Sequence, residues 1–204
     1  LETKLNKETE DKKFFEENNK AIYHDVIDLE KSFLKICSIL PEIVKIYRVE
    51  DSQTALLENL KINVNNLGTS KRNLDVYVHS ATKQPYSVLR TKLESLKADY
   101  DVAKDGMENF KAYIDSLRVS AEEAYNMVFA YTYRMKHCEQ LLRDIMISDV
   151  ADSFKESIDK CYELLNNIYE TIIVKPIDVT AVNEKVAELE QLANPIFDEI
   201  DNKS

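Results

Sequence analysis

The sequence predicts an all-α chain, arranged as elongated tandem antiparallel three-helix bundles that share one long helix. Two observations carry this expectation. From Tyr86 through Leu96, Met107, Leu117, Val128 and Met135 to Ile145, apolar residues recur at alternating steps of three and four without a break. Such a stripe, averaging about 3.5 residues per step, stays on one side of an α-helix that packs against other helices along its length. The second observation is the scarcity of turn formers: the 204 residues include only two Gly and four Pro. Few reversals are available, and the helical share exceeds that of an ordinary domain. At 1.5 Å per residue the 86–145 helix would be roughly 90 Å long, whereas a globule of this length has a radius of gyration of only about 17 Å. The expected molecule is therefore elongated.

The elements follow in order. The first helix keeps its stripe through Ile22, Val26, Leu29, Phe33, Ile36, Leu40, Ile43 and Tyr47. Before Ile22 the stripe is poor, with Lys12 and Asn19 at apolar sites, so residues 1–21 are read as an overhang whose neighbour lies outside this chain. With no start signal before Leu1, the sequence reads as a piece of something longer. Pro41 removes one backbone donor and should kink this helix without ending it. RVEDS, residues 48–52, ends it, and Asp51 or Ser52 can cap the second helix. That helix runs to about Lys83, facing inward with Leu56, Leu60, Val64, Leu67, Leu74, Val78 and Ala81. Lys71 interrupts its stripe and Gly68 weakens its middle. Gln84-Pro85 turns the chain into the long third helix. Ser148 is the N-cap candidate of a fourth helix, with Val150, Phe154, Ile158, Cys161, Leu165, Ile168 and Ile172 inward. Pro176 ends that helix and Asp178 restarts the chain. On the fifth helix Val179, Val182, Val186, Leu189, Ala193, Ile196 and Ile200 face inward, and Pro195 bends the last turns.

Matched lengths and short connections make neighbouring helices antiparallel. Residues 1–105 are expected to form one bundle and 106–204 a second, with Ala103 and Gly106 near the handover. This is the layout of a spectrin-like repeat array.

Charge and residue types exclude several functions. A net charge of −10 disfavours nucleic acid and anionic lipid, and so disfavours a membrane-curving dimer. No apolar run reaches the roughly 18 residues of a membrane span. Cys37, Cys138 and Cys161 are odd in number and fall on stripe positions, which reads as packing rather than redox or metal chemistry, in a reducing cytosol. His24, His79 and His137 are scattered without metal-ligand spacing. Neighbouring His137 and Cys138 point about 100° apart, one outward and one inward. Gly68 and Gly106 make no phosphate-cradling loop. No Glu-x-x-His motif marks a di-iron bundle, so no catalytic, cofactor-binding or metal-ligating residue is expected and the chain reads as non-enzymatic, without cofactor or small-molecule substrate. The acidic groups Glu8, Glu10 and Asp11, and Glu122 and Glu123, read as solvated faces, or alternatively as contacts for a basic protein. Tyr113, Tyr125 and Tyr133 lie off the main seam of the long helix, as flanking core or partner contacts.

The order of breaks from Tyr86 onward resembles the septation ring formation regulator EzrA family of Gram-positive bacteria. The long helix is followed by the Ser148-to-Phe154 restart, a helix of about 25 residues, the turn Pro176-Ile177-Asp178 and the pair Val182-Asn183. YRVEDSQTALLENL, residues 47–60, is similar to the family's preceding inter-helix segment. The resemblance implies a cell-division scaffold anchored by an N-terminal transmembrane helix outside these residues, on the cytoplasmic face of the cell membrane at the septum. It also implies modulation of FtsZ ring assembly and links to other division proteins. Self-association is left open by the sequence. The alternative is a cytoskeletal or tethering repeat of spectrin type unrelated to division.

Overall fold

The periodic stripes become five helices in a computed structural model that describes residues 2–80, 84–145 and 148–203, apart from the side chains of 145, 148–153 and 203. They are α1 (Glu2–Ile46), α2 (Asp51–Val78), α3 (Tyr86–Ile145), α4 (Ser148–Ile173) and α5 (Val179–Lys203). Among the described residues there is no β-strand, only an isolated parallel bridge between Tyr47 and Ile177. The expected all-α class is what the chain adopts, and α3 is a single helix of 60 residues.

The residues divide into two compact units. Unit 1 comprises Leu1–Pro41 and Val49–Tyr113, and unit 2 comprises Glu42–Arg48 and Ile114–Ser204. The division on α3 falls after Tyr113 rather than at Gly106, because α2 still reaches both residues: Leu60 packs under Gly106, and the Glu50 backbone N–H donates to the Tyr113 hydroxyl at 3.0 Å.

In unit 1 the contact registers fix the helix directions. Glu50 meets Tyr113 at one end of α2, and Lys92 stacks over the Tyr77 ring at the other, so α2 and α3 are antiparallel. Tyr23 of α1 donates to the Lys71 carbonyl, and Glu30 lies against Gly68, which makes α1 antiparallel to α2 as well. The core is built from Val26, Leu29, Phe33 and Ile36 of α1, Leu60, Val64, Leu67 and Leu74 of α2, and Leu89, Leu93, Leu96, Ala103 and Phe110 of α3. Full burial of one such Leu or Phe contributes about 1.5–3 kcal/mol.

Several local expectations are corrected here. The overhang is shorter than residues 1–21, because Asp11 and Phe15 are both only 5% exposed, Phe15 against Tyr86 and Asp11 against Arg90. Neither Asp51 nor Ser52 caps α2. Glu50 occupies the N-cap position without a side-chain cap bond, and Asp51 begins the first turn, where its charge favours the helix dipole. Leu57, not Leu56, faces inward, since Leu57 continues the three-four spacing through Leu60, Val64 and Leu67. α2 ends at Val78, with the His79 N–H bonded to the Asp75 carbonyl, short of the expected extension towards Lys83. Val78 is exposed, and Ala81 and Lys83 lie outside the described residues.

Unit 2 joins the second half of α3 to α4, α5 and the tail of α1. Tyr131 stacks edge-on to Phe197 with ring centroids 5.4 Å apart, and Arg134 lies over the same ring and pairs with Asp201 at 2.9 Å. Successive residues of α3 thus meet successive residues of α5, so those helices are parallel, and α4 returns between them. Lys185 of α5 donates to the Thr171 hydroxyl of α4. Asp178 caps α5 as its sequence position suggested: its Oδ1 accepts from the Ala181 N–H at 3.1 Å. α1 and α5 run through Pro41 and Pro195 as continuous helices. The Ser148 cap and the inward site of Val150 fall on side chains outside the described residues.

Candidate functional site

Chemistry-bearing residues are dispersed. His24, His79 and His137 are all exposed, and among the described residues no cluster of His, Cys, Asp or Glu could hold a metal ion. One open cleft in unit 1, about 180 Å³ and lined by Ser70, Asn73, Tyr77, Lys92, Ser95 and Asp99, is smaller than the roughly 300–1,000 Å³ of small-molecule sites. Cys138 and Cys161 are buried, and burial pushes both thiols up from their ordinary value. Cys37 is exposed, contrary to its stripe assignment, because Ile36 takes the inward position beside it. Asp11 likewise leaves the solvated acidic face assigned to it. It is buried and receives Arg90 at 3.2 Å, while Arg90 also pairs with Glu94 and stacks over Phe14 at 4.3 Å. These contacts, Glu94 foremost, raise the Arg90 guanidinium above its usual value.

Two features could face a partner or hold the fold in register. The first is the clamp at the α4–α5 turn of unit 2. The Arg48 N–H donates to the Ile177 carbonyl and the Ile177 N–H to the Ile46 carbonyl, each at 2.8 Å, and the Arg48 guanidinium reaches Asp178 at 3.2 Å. Ile177 is buried beneath this pairing. Sequence reasoning took residues 48–52 only as a helix end, since a bridge between residues so far apart leaves no periodic trace.

The second is an aromatic stripe on the solvent side of α3. Of the three tyrosines flanking the main seam, Tyr113 is half-buried and bonded to Glu50. Tyr125 and Tyr133 are 46% and 78% exposed, so neither is flanking core. Phe129, midway between them and 54% exposed, stacks edge-on to Tyr125 at 4.9 Å. The spacing of four between these rings is visible in the sequence, but a Phe off the main seam carries no sequence signal of its exposure.

The profile of the family described as septation ring formation regulator, EzrA, matches residues 1–202. The chain belongs to the EzrA family. A septation ring formation regulator EzrA from Bacillus pumilus (strain SAFR-032) is 24% identical over 114 residues, covering 56% of this chain and 20% of that relative. The matched stretch thus spans about a fifth of the relative's length. No solved structure matches. Membership of EzrA, a family of regulators, ties the chain to bacterial cell division. No helix among the described residues is long and apolar enough to cross a membrane.

Proposed function

We propose that this chain is a non-enzymatic scaffold segment of a membrane-anchored division regulator, which modulates FtsZ ring assembly and links the ring to other division proteins at the cytoplasmic face of the septum. Within that reading, the two compact units, divided on α3 after Tyr113, are two spectrin-like repeats. The observation that carries it is the family match over residues 1–202. The filled bundles add support, because their interiors are occupied by their own side chains and leave the exposed faces as the places to meet other proteins. The test is sedimentation of FtsZ polymers with GTP in the presence and absence of the full-length parent protein. A dose-dependent change in the sedimented fraction supports the reading. An unchanged fraction overturns it and favours a tethering repeat unrelated to division.

A further inference from the structure

The solvent face of α3 in unit 2 carries a second seam, separate from the buried one. It runs through Tyr125, Phe129 and Tyr133 and continues outward on both sides at steps of three and four. Seven residues before Phe129 stands Glu122, and seven after it stands Lys136. Fourteen before is Asp115, and fourteen after is Arg143. Between these pairs, eleven residues to either side, lie Arg118 and Gln140. All of these side chains are exposed. The spacing is palindromic about Phe129, whereas the charges are antisymmetric: acids precede the centre and bases follow it. Arg118 is the exception on the acidic side, and it already pairs with Asp115 and Glu122.

A palindromic spacing with antisymmetric charge is what an isologous contact requires, in which the same patch meets itself across a two-fold axis. We propose that this face of α3 binds a second copy of the chain, antiparallel, with the axis at Phe129. Phe129 then meets its own image, and Tyr125 meets Tyr133 of the other copy. Glu122 faces Lys136, Asp115 faces Arg143, and Arg118 faces neutral Gln140. No like-charged pair falls across the seam, so the charges select this antiparallel register. A parallel pairing would set Glu122 on Glu122 and Lys136 on Lys136. The seam from Asp115 to Arg143 is about 42 Å long, and a single helix-to-helix contact lies at the small end of specific interfaces, which makes the dimer reversible.

Sedimentation equilibrium across a concentration series tests the proposal on the whole chain, with circular dichroism confirming that each variant stays helical. The wild type is expected to self-associate reversibly. Phe129→Glu should raise the dimer Kd about tenfold or more, as for a central aromatic anchor. Glu122→Lys should weaken the dimer, and adding Lys136→Glu in the same chain should restore it, a rescue that a general loss of structure cannot produce. In a Cys37→Ser background, Phe129→Cys should form a disulfide-linked dimer under mild oxidation. Sedimentation as a monomer at every concentration overturns the proposal and leaves the face to a protein of different sequence. Self-association unaffected by Phe129→Glu and by the charge exchange overturns it equally.

Discussion

The two units are built on the same scheme and differ in what they bury. Unit 1 places Asp11 in its interior against Arg90. It also holds Asn19 Oδ1 and Glu30 Oε1 buried without a hydrogen-bond partner among the described residues, and sets Lys71 on the α2 stripe. Unit 2 is apolar within: Met135, Cys138, Cys161, Ile168, Leu189, Ile196 and Phe197 are all buried, with no buried charged residue among those described. A buried ion pair adds little net stability compared with apolar residues of the same volume, yet removing one partner is strongly destabilising. Unit 2 is thus held by packing volume. In unit 1 a share of the interior instead fixes which turn of α1 faces which turn of α3.

The largest expected effect is therefore an apolar truncation in unit 2. Phe197 is 1% exposed and touches both Tyr131 and Arg134. Phe197→Ala should lower the unfolding free energy by about 3–5 kcal/mol. Cys138 and Cys161 report on this unit directly: in the variant their alkylation should accelerate, while exposed Cys37 reacts at its original rate. Unchanged labelling of the buried pair would remove Phe197 from its central role.

Next in size is the polar interior of unit 1. Arg90→Met leaves Asp11 buried without its cation and should lower stability by about 2 kcal/mol in urea denaturation. Adding Asp11→Leu should recover most of that loss, since an apolar pair needs no desolvation compensation. A double variant as unstable as the single one would show that the ion pair is not what the site depends on.

Alkaline pH should act on both units, with Tyr23 and Tyr162 carrying the largest phenol shifts beside Tyr100 and Tyr131. Burial, reinforced by Asp75, raises Tyr23 above its ordinary value of 10.0. Burial, reinforced by Glu139, does the same for Tyr162. The folded phenol holds its proton more tightly than the unfolded one. The stability these two phenols contribute is thus fully present below pH 10.0 and falls as pH climbs from there through the folded values. Tyr23→Phe and Tyr162→Phe should each flatten part of that decline in pH-dependent denaturation, and a slope unchanged by both would sink the assignment.

The smallest change concerns Gly68. A Cβ there would meet Glu30 Oε1 at 3.2 Å and Arg72 at 3.4 Å, both at the ends of flexible side chains. Displacing Glu30 moves an unpartnered carboxylate oxygen towards water. Gly68→Ala should therefore stabilise unit 1 by up to about 1 kcal/mol, the difference in helix propensity. A lower melting temperature would mean that Glu30 cannot yield.

What could be read from the chain was whatever depends on neighbours one or two turns away. The α3 stripe from Leu89 to Cys138 is buried or half-buried at every position described, because a three-four spacing has one geometric solution on a helix. The Asp178 cap was legible for the same reason: its donor, the Ala181 N–H, is three residues on. Phe197 was missed because the fifth helix buries a face wider than a single stripe. The antisymmetric charges about Phe129 were written in the sequence too, but only the exposure of those side chains marks them as an outer seam.

The helices and most of their inner faces were fixed by the order of residues alone, since each follows from local periodicity and chain stiffness. Tertiary structure alone decided that Asp11 lies inside and Cys37 outside, that Leu57 displaces Leu56, and that residues 46–48 clasp Ile177 and Asp178. Each of those choices is settled by a partner dozens of residues away, and a burial site next to such a partner can outweigh the local preference of the residue that fills it.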